Sequence, residues 1–177
     1  MKIAQQDTSR PRKLRASEPA ILFAVSRQFF AIAADAVQEI RSTDSIAGAS
    51  REFQMAGVPK VRHTLERGPR QYFVVNACVH FGLGISRPTL VLILRQLRVA
   101  VLVDRIERMT ELPAVFELPL AFSGAERRWY RGLAYLNDHV IPVVDPRGFL
   151  TAEEFHLLDG ASPTAAAPRE MEGAASQ

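Results

Sequence analysis

The chain has 177 residues, of which 47% are hydrophobic and 23% are charged, and its formal net charge is +3. This composition is typical of a folded globular protein, and the length allows one domain or two small units that share a core. The longest apolar runs, such as Leu90–Leu94, are far shorter than the ~18 residues of a membrane-spanning helix. The first residues are polar and lack the apolar region of a secretory signal. The single cysteine, Cys78, excludes an internal disulfide, so we expect a cytoplasmic protein.

The two ends of the chain are predicted to lie outside the folded part. Residues 1–18 are polar and rich in Lys and Arg, and residues 159–177 are rich in Ala, Ser, Pro and Gly without an apolar period. Such segments bury too little apolar surface to order themselves. We therefore predict a disordered basic arm at 1–18, a folded domain at 19–158 and a disordered tail at 159–177. The folded part is close to neutral, which argues against the basic footprint of a nucleic-acid-binding protein.

Strand patterns dominate the folded part. Two apolar runs around Ser26–Gln28 predict a first β-hairpin, and the segment 71–81 is a β-branched and aromatic run. Further hairpins are predicted around Arg95–Gln96 and around Asn137–Asp138. Asn and Asp tolerate left-handed backbone conformations, which suits the last of these turns.

Helical patterns are few and short. An aspartate can cap a first helical turn, so short turns are predicted after Asp35 and after Asp104. The most convincing helix start is Thr151, because Glu154 three residues later completes a capping-box pattern. The sequence therefore predicts a mainly β protein that ends in a helix.

The sequence also contains a weak internal repeat. The segment Ala31–Ile40 aligns without gaps with Ala100–Met109, and each follows an apolar run ending in Arg-Gln. An Arg-Gly pair precedes an apolar strand in both halves, at Arg67–Gly68 and at Arg131–Gly132. This order predicts two similar small β-barrels rather than one large sheet, because closing a barrel removes exposed edges.

No residue pattern predicts catalysis. Cys78 and His80 would share one face of a strand, where they could act as nucleophile and base, but no adjacent acid orients them. Asp138 fits a hairpin turn and Asp145 a strand end, which leaves neither for acid–base chemistry. Metal-binding spacing is absent among the four histidines, which are His63, His80, His139 and His156. We predict no enzymatic activity, no metal and no cofactor.

The segment Glu126–Gly132 supports the main alternative function. It interleaves arginines with aromatic rings, which is typical of a stacking platform for single-stranded nucleic acid. A nucleic-acid-binding β-barrel module would use this segment, helped by the basic arm, through Arg127, Arg128, Trp129 and Tyr130. The other interpretation is the start of an amphipathic strand with Trp129 packed inward.

A further short segment, Val37–Arg41, reads VQEIR. As a helical turn it would place the apolar Val37 and Ile40 on one face, because they are three residues apart. Glu39 would then point elsewhere and be free to pair with an arginine. The alternative is a satellite of the core with a solvated Glu39.

An ordered set of segments resembles the CheW-like chemotaxis adaptor domain family. The first, LFAVSRQFFAIAADAVQEI, is similar to the family's opening pattern, and TLERGPRQYFVVNACVHFGL is similar to its Arg-Gly segment. VAVLVDRIERM and RGLAYLNDHVIPVVDPRGFLTAEEFHLLD correspond to later family segments. The resemblance covers about Ile21 to Asp159, and the chain is identified as a divergent member.

The resemblance implies the fold and the function together. It implies two intertwined five-stranded SH3-like barrels that share a hydrophobic core, with short helices and a C-terminal helix; we place the approximate boundary between the subdomains at 83–90. It also implies a non-enzymatic adaptor that couples the cytoplasmic tip of a chemoreceptor to the regulatory domain of a CheA-type histidine kinase. No nucleic acid and no direct membrane insertion are expected, although the partners would recruit the protein to membrane-attached receptor arrays.

The resemblance further implies where partners bind. The first barrel is expected to meet the kinase, and the groove between the barrels is expected to take the receptor helix through apolar anchors. Glu39 and Arg67 match family positions that are expected to form an ion pair beside this groove. The expected partner-binding residues are Val37, Glu39, Ile40, Arg41, Leu65, Arg67 and Gly68.

Three positions in the first half depart from the family pattern. Glu66 is an extra residue before Arg67 and could compete for it. Phe73 stands where the family has proline, and Asn76 stands where it has aspartate. Any functional divergence is therefore expected in the first half.

Overall fold

A computed structural model describes residues 12–46, 50–52 and 57–161, and within them the protein is mainly β as predicted. The helices are α1 (Thr43–Ile46), α2 (Ala77–His80) and α3 (Ala152–Ala161), with 3-10 helices at Ala34–Ala36, Ala125–Arg128 and Pro146–Gly148. The strands are β1 (Lys13–Val25), β2 (Gln28–Ala33), β3 (Val37–Ser42), β4 (Ser50–Glu52), β5 (Val61–Arg67), β6 (Arg70–Asn76), β7 (Leu90–Leu94), β8 (Val99–Val103), β9 (Arg105–Phe116), β10 (Tyr130–Leu136) and β11 (His139–Val144).

The folded region begins earlier than the sequence predicts. Strand β1 starts at Lys13 and pairs with β9, with Lys13 opposite Phe116, so the predicted disordered arm at 1–18 is too long. The polar start of β1 pairs with a strand that lies far along the chain. Local composition cannot predict such a long-range pairing. At the other end α3 continues to Ala161. The remaining parts of the predicted arm and tail, 1–11 and 162–177, lie outside the described residues.

The strands form two sheets. One is a closed five-stranded barrel in the order β1-β2-β11-β10-β9, and the other is a six-stranded sheet in the order β3-β7-β8-β6-β5-β4. A boundary at 83–90 does not separate them, because the second sheet takes strands from both sides of that segment. The barrel, in turn, combines the first two strands with the last three. The two units are therefore intertwined, as the resemblance implies.

The internal repeat explains this arrangement. The hairpin β1–β2 is extended by β9 from the second half, and the hairpin β7–β8 is extended by β3 from the first half. The third strand of the first half, β3, therefore joins the hairpin β7–β8, and the third strand of the second half, β9, joins the hairpin β1–β2. The parallel pairs agree, since Ala31 lies opposite Val143 and Ala100 lies opposite Val74. The two Arg-Gly pairs are not equivalent, because Arg67 ends β5 whereas Arg131 lies near the start of β10.

The closing strand of the second sheet is interrupted. In the barrel, the single strand β9 pairs with β1 and then reaches β10, where Phe116 lies opposite Leu133. In the other half β3 pairs with β7, the helix α1 follows, and only then does β4 pair with β5, with Arg51 opposite Thr64. Together β3 and β4 occupy the place of β9. The six-stranded sheet is therefore the second barrel, with its closing strand broken at α1.

Two predicted helical turns are largely strands. Asp35 lies in a single 3-10 turn, and the following segment Val37–Ser42 is β3. Asp104 is followed directly by the strand β9. Its carboxylate instead accepts hydrogen bonds from the Ser26 backbone N–H, at 2.7 Å, and from the Ser86 hydroxyl. Asp104 therefore ties the first hairpin turn and the loop before β7 to the β8–β9 junction.

The core has a shared part and two inner parts. The largest cluster of buried side chains contains residues of both sheets, among them Phe23, Phe30, Phe73 and Leu92. A second cluster lies within the barrel and includes Leu22, and a third lies within the six-stranded sheet. The shared core that the resemblance implies is therefore present. Within the described ranges, no helix is both long enough and apolar enough to cross a membrane.

The predicted capping box at the start of α3 is confirmed. The Glu154 backbone N–H donates to Thr151 Oγ1 at 3.1 Å, and the Thr151 backbone N–H donates to Glu154 Oε2 at 2.8 Å. We expect Thr151→Ala to lower the free energy of unfolding by about 1 kcal/mol, since an orphan N–H loses its acceptor. Thr151→Ser keeps the oxygen and should cost much less. Urea denaturation of the two variants checks this, and equal losses would contradict a capping role.

Candidate partner-binding surface

The predicted partner-binding residues come from two strands that are not neighbours. Glu39 lies on β3 and Arg67 ends β5, and β7, β8 and β6 lie between these strands in the sheet. In a flat sheet this separation would be about 19 Å, given a strand spacing of ~4.8 Å. Arg67 Nη2 nevertheless lies 3.0 Å from Glu39 Oε2. The sheet must therefore curl until its β3 side meets the end of β5, across the break in the closing strand.

The predicted ion pair is confirmed, and a second arginine joins it. Arg41 Nε lies 2.8 Å from Glu39 Oε1, so Glu39 bridges two guanidinium groups. Glu39 Oε2 is shielded from solvent but does not meet hydrogen-bond geometry, so its contact with Arg67 is mainly electrostatic. Both arginine side chains are 40% exposed, and a pair this exposed contributes only ~0–1 kcal/mol. Its effect is to orient the arginines at the surface.

The apolar residues of the predicted site separate into two groups. Val37 is buried in the shared core and Leu65 is buried inside the six-stranded sheet, so neither is available at the surface. Ile40 is 39% exposed and lies between Glu39 and Arg41 on β3. The predicted helical turn is wrong, because the segment is a strand. Val37 and Ile40 still share a face, because a register shift after Val37 leaves them opposite Leu94 and Leu92 of the shared core. Gly68 has a φ of +57° and forms the turn between β5 and β6.

We call the exposed part of this site the β3–β5 surface; it consists of Glu39, Ile40, Arg41 and Arg67. Successive side chains of a strand point to opposite faces, so Ile40 lies on the other face of β3 from Glu39 and Arg41. Glu66, which could compete for Arg67, lies opposite Gln71 in the β5–β6 register, and the ion pair between Arg67 and Glu39 forms despite it. The sequence did not predict that Glu39 bridges two arginines. Arg41 was included among the expected partner-binding residues, but no interaction between Arg41 and Glu39 was predicted.

The departure at Asn76 preserves a structural role. Its Oδ1 accepts hydrogen bonds from the Cys78 backbone N–H at 3.0 Å and from the Val79 backbone N–H at 3.3 Å, which caps α2. Asp145 does the same in the second half, where Oδ1 accepts from the Arg147 backbone N–H at 2.9 Å. An uncharged amide therefore replaces a carboxylate without loss of the cap. The predicted strand through Cys78 is wrong, because this cap begins a helix.

Cys78 lacks the features of an activated nucleophile. Its Sγ donates to the Gly84 backbone carbonyl at 2.6 Å. Burial raises the pKa of Cys78, and the negative charge of Asp104 adds to this, whereas a reactive thiol has a lowered pKa. Within the described ranges, no group of three or more His, Cys, Asp or Glu residues could hold a metal ion.

His80 is a buried member of an aromatic cluster. Its ring centroid lies 4.7 Å from that of Trp129, 4.9 Å from that of Phe81 and 5.1 Å from that of Phe149. Burial lowers the pKa of His80 to about 3, with a further contribution from the charge of Lys60. Nε2 has no hydrogen-bond partner among the described residues. A neutral imidazole enclosed by rings is a packing group rather than a general base.

The same aromatic cluster includes Trp129 and Tyr130, the two rings that a nucleic-acid-binding platform would need at the surface. Tyr130 stacks on Phe81, with ring centroids 5.8 Å apart, and on Phe30 at 6.4 Å. Burial raises the pKa of Tyr130 to about 12. Since Trp129 also packs against His80, both rings face the protein core. Inward packing of Trp129 is confirmed, and the nucleic-acid interpretation loses its aromatic surface.

Comparisons with known proteins agree with this geometry. The model of the CheW-like domain family matches residues 19–154. The fold is similar to the crystal structure of the scaffolding protein TtCheW from Thermoanaerobacter tengcongensis, with a TM-score of 0.58 and 14% sequence identity over 72% of this chain and 88% of that chain. No curated protein has a significant sequence match. The structural likeness shows the fold, and the family model spans most of the chain. This chain therefore belongs to the CheW-like domain family.

Proposed function

We propose that this protein is a non-enzymatic scaffold of chemotaxis-type signal transduction, which couples a chemoreceptor to a CheA-type histidine kinase. The observation that carries the proposal is the family match over residues 19–154. Two barrels joined through one core offer two faces in a fixed relation, which suits a protein that holds two partners together. We further propose that it acts in the cytoplasm and is recruited to membrane-attached receptor arrays by these partners.

The β3–β5 surface is proposed as one of the contacts. Ile40 supplies an exposed apolar anchor, and helical peptides dock through such anchors in grooves. Arg41 and Arg67 are held by Glu39 on the other face of β3, so the position of their positive charge is fixed relative to the strand. Charges of this kind contribute more to partner selection and association rate than to raw affinity. Val37 and Leu65 would act indirectly, by supporting the two strands from within the core.

A charge reversal at Arg67 tests this proposal. Arg67→Glu would place a carboxylate beside Glu39 and remove one of the two oriented arginines. We expect the Kd for the partner of this surface to rise at least tenfold, which is about 1.4 kcal/mol. Isothermal titration calorimetry against the receptor tip and against the kinase regulatory domain from the same genome measures this effect. Circular dichroism checks that the variant is folded.

Arg87→Glu is the matched control. Arg87 is an exposed arginine in the loop before β7, so its reversal makes the same change in net charge away from the β3–β5 surface. We expect wild-type affinity from this control. If wild-type protein binds neither partner, the coupling function is wrong. If binding occurs but Arg67→Glu and Arg87→Glu bind equally well, the function stands and the assigned surface is wrong.

A further inference from the structure

A cavity of about 370 Å³ lies beside the 3-10 helix Pro146–Gly148 and the start of α3. Its volume falls at the lower end of the range of small-ligand pockets. Its lining includes no residue of the β3–β5 surface, and one wall is formed by Trp129 and Leu150. The charged residues that line it are Lys60, Arg128, Asp145 and Arg147.

One of these four charges is already in an ion pair, and a second group is hydrogen-bonded to the backbone. Lys60 Nζ lies 2.8 Å from Glu154 Oε1, and Glu154 also takes part in the capping box of α3. Asp145 Oδ1 accepts the Arg147 backbone N–H at 2.9 Å. Neither Arg128 nor Arg147 makes a side-chain hydrogen bond or ion pair with any residue in the described ranges. The cavity is therefore lined by two exposed arginines against the single carboxylate of Asp145, which leaves an excess of positive charge.

The two arginines are presented by backbone segments that are locked together. The Asp145 backbone N–H donates to the Trp129 carbonyl at 2.9 Å. A Cβ added at Gly148 would lie 2.4 Å from the Arg128 carbonyl oxygen, so the two 3-10 helices are in direct backbone contact. The base of each arginine is thus fixed relative to the other. Pre-organisation of this kind reduces the entropy lost when a ligand binds.

We propose that this cavity binds an oxyanion, a carboxylate or a phosphate group, through Arg128 and Arg147. A guanidinium group presents planar donors that match two oxygens of either anion. The apolar wall at Trp129 excludes water from one side, which strengthens the charge–charge attraction. The proposal is independent of the scaffold function, because it rests on different residues. The oxyanion can come from free phosphate or from an acidic segment of a protein, and the chemistry is the same.

Trp129 provides a direct test, because it is the only tryptophan in the chain and lines the cavity. The full chain is titrated at constant ionic strength with inorganic phosphate, and separately with a capped hexaglutamate peptide, while the Trp129 indole N–H signal is followed by NMR. We expect a saturable shift with at least one of the two. The double variant Arg128→Gln/Arg147→Gln is expected to bind at least tenfold more weakly.

A double variant outside the cavity provides the control. Arg62 and Arg70 are exposed arginines on β5 and β6, so Arg62→Gln/Arg70→Gln removes the same charge and should leave binding unchanged. Saturation by the peptide at lower concentration identifies a protein segment as the source, and saturation by phosphate alone identifies a free oxyanion. A non-saturable shift, no shift at all, or equal weakening in both double variants would overturn the proposal.

Discussion

Replacement of Gly132 by alanine is expected to lower the free energy of unfolding by about 3 kcal/mol, at the upper end of what overpacking costs. A Cβ at this position would lie 2.3 Å from the Phe116 carbonyl oxygen and 2.7 Å from Val115 Cγ1. Both atoms belong to β9 at the place where it pairs with β10 and closes the barrel. The added methyl group must therefore push apart two strands whose hydrogen bonds complete the sheet. Urea denaturation followed by tryptophan fluorescence measures the loss.

Gly84→Ala is the matched control for this substitution. A Cβ at Gly84 would meet no heavy atom within 4 Å, so the same chemical change should alter stability by less than about 0.5 kcal/mol. If Gly132→Ala changed the free energy of unfolding as little as Gly84→Ala, β9 would be able to shift away from the added methyl group without loss of stability. The closure of the barrel would then not depend on the close approach of these two strands.

The second large effect is a dependence of stability on pH that originates at His80. Its pKa is lowered from 6.5 to about 3 in the folded protein, so below pH 6.5 the unfolded chain takes up a proton that the folded chain excludes. Stability must therefore fall as the pH falls from 6.5 towards 3. At about 1.4 kcal/mol per pH unit, this residue should make the protein about 2 kcal/mol less stable at pH 5.0 than at pH 7.5.

Chemical denaturation of two variants at both pH values isolates this contribution. His80→Leu removes the titrating group from the aromatic cluster, and its loss of stability between pH 7.5 and pH 5.0 should be about 2 kcal/mol smaller than that of the wild type. His156→Gln, at an exposed position of α3, should behave like the wild type. An unchanged pH dependence in His80→Leu would mean that the buried imidazole does not remain neutral in the folded state.

The hairpins were predictable because their signals are local. The turns at Ser26 and Gln96 have φ values of +57° and +62°, and Asn137 and Asp138 have +48° and +63°, so each predicted turn contains left-handed backbone. Turn residues between apolar runs indicate this conformation from a few neighbouring positions. The capping box at Thr151 was predictable for the same reason.

The strands that cross between the sheets were not predictable from local signals. An aspartate followed by two apolar residues three apart is as compatible with a helical turn as with a strand, and this was the pattern after Asp35 and Asp104. The partners that decide the matter are β7 for β3 and β1 for β9, both far away in the chain. Asn76 was missed as a cap because the apolar run continues beyond it.

The candidate site was predictable only in part. The contact between Glu39 and Arg67 follows from the family resemblance, since no spacing rule joins two residues on separated strands that meet through curling of a sheet. The burial of Val37 and Leu65 could not be predicted from the resemblance. The resemblance shows which residues match family positions, but it does not show how exposed their side chains are. The role of Glu39 as a bridge to Arg41 required the structure.

The exchange of third strands fixes the order in which the protein can be completed during synthesis. Strand β1 leaves the ribosome first, but its partner β9 ends at Phe116, and the barrel also needs β11. The six-stranded sheet needs no residue beyond Val103 and can assemble earlier. The barrel that contains the first strand is thus the last to close. Until β11 is made, the β1–β2 hairpin and the six-stranded sheet expose the apolar faces that later pack together, so nascent chains paused between Val103 and Val144 are the ones most exposed to aggregation.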